Sequence, residues 1–257
     1  MQLLMWIPFV FTLSVLTYAA ILDFRKREVS NGVWCFAYPI GCVMTLTELA
    51  FSLLDVQIVL VSLGVALFFG AVLLYTDFYG GADVKALVFV GLTTPTLPLM
   101  LNPVLSVPAL PIVLVVFCNS ALLSMVWPLS IFILNLKDVL QGKQLFDGLN
   151  LTMREKVLLL FTTRHIPLWT LEKSLRCFPA EEVVLQEGKP TKKLLHLMKA
   201  ETNLSKYVNN LKEHQELCTK GVLASPTIPS IAFFTIALVT APIGTLLFWI
   251  ITLIGII

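Results

Sequence analysis

Residues 57–83 read QIVLVSLGVALFFGAVLLY and then TDFYGGAD, and the first 19 of them contain no Asp, Glu, Lys or Arg. About 20 consecutive apolar residues are what a helix needs to cross the hydrocarbon core of a bilayer. The run therefore predicts a transmembrane helix that ends in a polar, glycine-containing turn. The rest of the chain agrees. Of its 257 residues, 57% are hydrophobic and 13% charged, with a mean hydropathy of +0.87. A soluble domain carries about 25% charged residues. These values exclude an ordinary water-soluble protein, a disordered chain and a nucleic-acid binder, and predict a multi-span membrane protein.

Working outward from residues 57–75, five more apolar segments stand out: about Leu3–Leu22, Val33–Leu54, Val84–Leu101, Pro108–Leu134 and Ile228–Ile257. Pro95 and Pro98 interrupt the fourth span in chain order, and Pro242 and Gly244 the sixth. The first run lacks a basic leader and a small-residue cleavage site, and reads as a retained span. The expected fold is thus all-α and integral to the membrane. Six transmembrane helices carry a small, mostly helical cytoplasmic insert, divided as a bundle at 1–134, the insert at 135–227 and the last helix at 228–257.

The basic residues orient it. Arg25, Lys26 and Arg27 follow the first span and Lys85 the third, and the other 14 of the 18 lie between Lys137 and Lys220. With six spans all three segments fall on one face, which the positive-inside rule assigns to the cytoplasm. The opposite face holds only Glu48 and Asp55 near span ends.

The insert has 14 basic and 10 acidic residues, a balance suited to a face beside anionic lipid. Leu194, Leu197, Leu204, Val208 and Leu211 recur at helical spacing and predict an amphipathic helix within Thr191–Cys218. A second helix is expected over Leu151–Phe161. Cys35, Cys42, Cys118, Cys177 and Cys218 show neither CxxC nor metal-ligand spacing, and read as reduced and structural. His165, His196 and His214 likewise show no ligand spacing. Neither a metal nor a cofactor is expected.

Two acids stand in unusual surroundings. Asp23 lies where an apolar helix meets a basic cluster. Asp83 follows Gly80-Gly81-Ala82 and precedes Val84-Lys85. Two crossings separate them, so they share the cytoplasmic face without either lying mid-bilayer, where an acid is costly. Taken singly, Asp23 reads as an interfacial acid balancing Arg25–Arg27, and Asp83 as a helix cap. Taken together, two close carboxylates share one proton, because both cannot ionise easily. One then activates water as a base while the other polarises the attacked carbonyl. Asp77, in the same loop but without the glycines, ranks below Asp83.

The pattern Asp23-Phe-Arg-Lys-Arg-Glu-Val-Ser-Asn31 resembles the first motif of the type IV prepilin peptidases. Gly80-Gly81-Ala82-Asp83-Val84-Lys85 resembles their GxGD motif. Ala224-Ser225-Pro226-Thr227-Ile228-Pro229 resembles the entry to their last helix. The span order and polar insert look most like the archaeal preflagellin peptidases. The resemblance implies an aspartic endopeptidase with Asp23 and Asp83 as the catalytic pair. Gly80, Gly81 and Ala82 would shape the substrate-binding loop and Lys85 would assist. It implies a precursor substrate of archaellin or pilin type, with a short basic leader cut at the cytoplasmic face of the cell membrane. One departure is Ala82, where the motif has glycine, since a Cβ tolerates positive φ poorly.

A transporter using either aspartate as a proton or cation relay is the alternative, although a relay more often places acids mid-span. A non-catalytic scaffold would explain the insert and leave the glycine-flanked Asp83 a coincidence.

Overall fold

A computed structural model describes residues 6–76, 79–98, 110–173, 177–186, 189–195, 204–218, 221–246 and 250. The chain divides into two compact units, residues 1–124 with 229–257, and residues 125–228.

The first unit is helical: α1 (Trp6–Lys26), α2 (Asn31–Ala50), α3 (Val56–Tyr75), α4 (Gly81–Thr93), α5 (Ile112–Ser124) and α10 (Ser230–Thr240). Its short connections are chemically marked. Arg27 takes a positive φ of 56° and its N–H bonds the Asp23 carbonyl at 2.9 Å, closing α1 in a left-handed cap. The Ser30 hydroxyl accepts from the Gly32 N–H at 3.2 Å and opens α2. Asp55 caps α3 by accepting from Gln57 N–H at 2.9 Å, which accounts for one of the two acids on the non-basic face. α4 lies at the centre and touches α1, α2, α3, α5 and α10. Its Leu87, Phe89 and Val90 are fully buried with Leu16 and Phe234.

The outward faces are apolar. Phe36, Val43 and Leu46 on α2 and Leu60, Leu67 and Phe68 on α3 are all about three-fifths exposed or more. Contiguous apolar surface on that scale needs a cover, and helices whose backbone groups are satisfied internally can be covered by lipid. Among the described residues, four helices are long and apolar enough to cross a membrane: Trp6–Lys26, Asn31–Ala50, Val56–Tyr75 and the run Ile112–Leu140.

The two remaining expected spans are interrupted near the residues the sequence marks, at Pro95 and at Pro242–Gly244. α4 begins three residues before Val84 and stops at Thr93, so its 13 residues reach only about 20 Å. Thr94, with φ −137° and ψ 62°, precedes Pro95, and a residue before proline is pushed out of the helical region. Residues 99–109 lie outside the described set. The last span is helical over Ser230–Thr240, tightens into a 3-10 turn at Ala241–Ile243 and breaks at Gly244, whose φ is 100°. Asn119, fully buried on α5, satisfies that break. Its amide nitrogen donates to the Gly244 carbonyl at 3.0 Å and its oxygen accepts from Leu246 N–H at 2.8 Å. The fifth span also divides, into α5 and α6 (Val126–Leu140). Pro128 lacks an N–H and its ring opposes the carbonyl four residues back, at Ser124, where α5 ends.

The second unit differs most from expectation, because it mixes helices with strands. α6 packs on α7 (Met153–Thr162), with Phe132 stacked on Phe161 at 4.5 Å. Buried Asn135 donates to the Leu160 and Thr163 carbonyls at 2.9 and 2.7 Å. Strands β1 (Arg164–Ile166) and β2 (Cys177–Pro179) flank β5 (Val222–Pro226) in an antiparallel sheet, with the six-residue helix α8 (Leu168–Lys173) between β1 and β2 in the chain. β3 (Glu181–Gln186) and β4 (Lys189–Leu194) form a hairpin. The helix expected within Thr191–Cys218 is therefore a strand at its start. Among the described residues of that segment only α9 (Leu204–Glu213) and a 3-10 turn at Gln215–Cys218 are helical; His196 and Leu197 lie outside the described residues. Val208 and Leu211 bury the inner face of α9, and Asn210 bridges both backbone groups of Val183 at 2.8 and 2.9 Å.

Glu181, 1% exposed, receives the Lys192 ammonium at 2.9 Å. Burial pushes its carboxyl up, and Lys192 draws it back. Lys192→Met is expected to lower the stability of this unit by about 3 kcal/mol, since it strands a buried charge. The double variant Glu181→Gln, Lys192→Met is expected to recover most of the loss. Hydrogen exchange at the β3 and β5 amides reads both effects, and unchanged protection in the single variant would count against the pair.

Candidate active site

The site is built from the end of α1, the start of α2 and the start of α4. Asp23 stands in the last turn of α1, not beyond it, with its side chain 15% exposed. Four residues on, one helical turn away, the Arg27 guanidinium lies 4.0 Å from the Asp23 carboxylate and is itself 11% exposed. The left-handed Arg27 backbone is what folds this side chain against the helix it follows.

Asp83 is the third residue of α4, not its cap. Gly80, with φ −77° and ψ 162°, is the cap, and Asp83 reaches back so that its Oδ2 accepts the Gly80 N–H at 2.9 Å. This half of a capping box satisfies an otherwise orphan donor and fixes the carboxylate at the positive end of the helix dipole. The Asp83 N–H in turn bonds the Gly80 carbonyl at 3.1 Å.

The Asp23 charge is felt at Asp83, and the Arg27 charge at both carboxylates. Tyr79, stacked on Phe234 with ring centres 6.3 Å apart, also feels the Asp83 charge. The structure thus brings the two sequence-selected acids to one end of adjoining helices. Asp77 lies outside the described residues.

The loop residues behave differently from one another. Gly80 and Gly81 are exposed, and a Cβ on Gly81 would meet nothing within 4 Å. Ala82 is inside the first turn of α4, partly buried against the core. Among the described residues only Arg27 and Ser52 combine a side chain with positive φ, so Ala82 needs no glycine-like conformation. The departure from the motif is conformationally harmless. The Lys85 ammonium donates to Asn31 Oδ1 at 2.6 Å, and Tyr38 Oη donates to the Lys85 carbonyl at 2.8 Å. Lys85 therefore joins α4 to α2 and pairs with Asn31 instead of an aspartate.

Arg27 was absorbed by the sequence reading into a basic cluster. The signal that distinguishes it is its i, i+4 spacing from Asp23, which Arg25 and Lys26 lack; both of these are exposed. Among the described residues no group of three or more His, Cys, Asp or Glu side chains is arranged to hold a metal ion.

Residues 10–134, which include both aspartates, match the model of the type IV leader peptidase family. A preflagellin peptidase from Methanococcus voltae is 27% identical over 236 residues, covering 88% of this chain and 90% of that protein. Its partner segment therefore extends well past the family match, through most of residues 125–228. Residues 10–134 therefore resemble the type IV leader peptidases, in a chain whose described residues include four helices long and apolar enough to cross a membrane.

Proposed function

We propose that this protein is an aspartic endopeptidase that removes short basic leaders from archaellin-like or type IV pilin-like precursors, with Asp23 and Asp83 as its catalytic pair. The observation that carries the reading is the placement of Asp23 in the last turn of α1 and Asp83 in the first turn of α4, two helices that touch, with the Asp23 charge felt at Asp83. Two carboxylates so placed share one proton. The ionised member takes a proton from water, and the oxygen attacks the scissile carbonyl carbon. The protonated member donates to the carbonyl oxygen, giving a neutral gem-diol. The pair then passes its proton to the amide nitrogen, the C–N bond breaks, and a hydroxyl of the collapsing gem-diol gives its proton back to the pair, restoring the shared proton. Gly80 and Gly81, unobstructed at the start of α4, leave room for an extended substrate backbone beside Asp83, Ala82 holds the turn and Lys85 secures it to α2.

The setting follows from the distribution of charge. Six spans, with the short α4 and α10 regions completing the bundle, put Arg25–Arg27, Lys85 and the insert on the cytoplasmic face of the cell membrane. A precursor inserted by the same rule keeps its basic leader on that face, within reach of the pair. The test is purified protein in liposomes with an archaellin-type precursor. Cleavage between the basic leader and the following apolar segment is expected, and an equivalent precursor cut elsewhere or left intact would count against this function.

A further inference from the structure

We infer that Arg27 is a positioning residue of the aspartate pair, holding Asp23 as its ionised member. This inference rests on the proposed catalytic role of Asp23 and Asp83. Three features of the residue converge. Its guanidinium approaches the Asp23 carboxylate at 4.0 Å, both side chains being largely withdrawn from water. Its backbone adopts a left-handed conformation that side-chain-bearing residues disfavour, and its N–H is tied to the Asp23 carbonyl at 2.9 Å. Its charge reaches Asp83 as well as Asp23.

Among the described residues, the elements around this site carry few other charges. α3, α5 and α10 contain no Asp, Glu, Lys or Arg. On α4 the charged groups are Asp83 and Lys85, and Lys85 is engaged by Asn31. α2 contributes Tyr38, bonded to the Lys85 carbonyl, and Tyr79 lies beside Asp83. Arg25, Lys26 and Glu28 are exposed. A guanidinium withdrawn from water next to one member of an acid pair favours the charged form of that member. The shared proton then resides on the Asp83 side, and the water-activating base is Asp23. On Asp83, Oδ2 accepts from Gly80, which leaves Oδ1 as the atom to carry the proton.

The test compares Arg27→Gln, Arg27→Lys and the exposed-site control Arg25→Gln as full-length protein in liposomes with an archaellin-type precursor, across pH. Arg27→Gln is expected to lower kcat/KM at neutral pH at least tenfold and to move the acidic limb of the profile up by about one pH unit. Arg27→Lys, which keeps the charge, is expected to return the limb towards its original position, and Arg25→Gln to leave it unmoved. A wild-type profile for Arg27→Gln overturns the inference. So does an equal loss in both Arg27 variants with the limb unmoved, because that is the mark of a purely structural residue. Asp23→Asn and Asp83→Asn, assayed beside them, separate the two levels. If both are inactive while Arg27→Gln retains the wild-type profile, the Arg27 role alone is lost. If they still cleave, the aspartate mechanism itself is lost and the Arg27 role with it.

Discussion

Asp23→Asn and Asp83→Asn are each expected to lower precursor cleavage about a thousandfold or more, since general acid–base transfer by a positioned side chain contributes on the order of 10²–10⁴ and each acid serves in more than one step. Asparagine keeps the shape and can still accept a hydrogen bond, so Asp83→Asn retains the contact to Gly80 N–H. It cannot exchange the proton that the mechanism shares. Asp83→Asn is expected to be at least as stable as the parent in thermal unfolding in detergent, because removing a partly buried charge relieves a desolvation cost. Asp23→Asn leaves Arg27 without its ion-pair partner and is expected to melt slightly lower, by far less than its loss of activity requires. The double variant should be no less active than either single one, as befits groups that act as one unit. Substantial cleavage by either single variant would falsify the assignment. A matching fall in stability would instead trace the lost activity to misfolding.

The second large effect is expected at the contact between α3 and α4. Ser62, Ala66 and Gly70 form a buried stripe of small residues at four-residue spacing on α3. It faces Gly91 and Val84 on α4. A Cβ placed on Gly91 would lie 2.6 Å from the Ala66 Cβ and 3.2 Å from the Ser62 carbonyl oxygen. Small residues let membrane helices approach at backbone distance, and packing of this kind is what holds them together where lipid is as apolar as the helix surface. Gly91→Val must push α4 from α3, and overpacking costs about 1–3 kcal/mol or more. Because α4 also carries Asp83, cleavage is expected to fall at least tenfold together with the melting temperature. Gly64→Ala is the matched control: Gly64 is exposed on α3, with nothing within 4 Å of a new Cβ. Equal melting temperatures for Gly91→Val and Gly64→Ala would remove the close approach as a source of stability.

Much of the membrane architecture was legible from residue order. Apolar runs of span length at α1, α2 and α3 lie within a few residues of the helices observed, because internal hydrogen bonding and apolar side chains are what a bilayer demands of any crossing segment. The interruptions of the fourth and last spans are legible from Pro95, Pro98, Pro242 and Gly244 and not from hydropathy. Hydropathy carries on through Pro95 and through Pro242-Ile243-Gly244, whereas helix continuity depends on backbone donors and φ values that hydropathy does not register. In the insert, leucine spacing suggested one helix where Thr191–Leu194 pairs with Glu181–Val184. Short strands are settled by their partners across the sheet, and a periodicity within one segment cannot reveal those.

The candidate site divides along the same line. Residue order singled out Asp23 and Asp83, because few acids occur in so apolar a chain and the two that border glycines and a basic cluster are conspicuous, and the resemblance of their motifs to those of the type IV prepilin peptidases implied a leader peptidase. Only the tertiary structure decided what each neighbour does. It put Lys85 on Asn31, made Ala82 an ordinary helical residue and turned Arg27 back onto Asp23. Those outcomes depend on which helix ends meet and on a single left-handed backbone residue, and contacts between residues some fifty positions apart are fixed by packing instead of by local sequence.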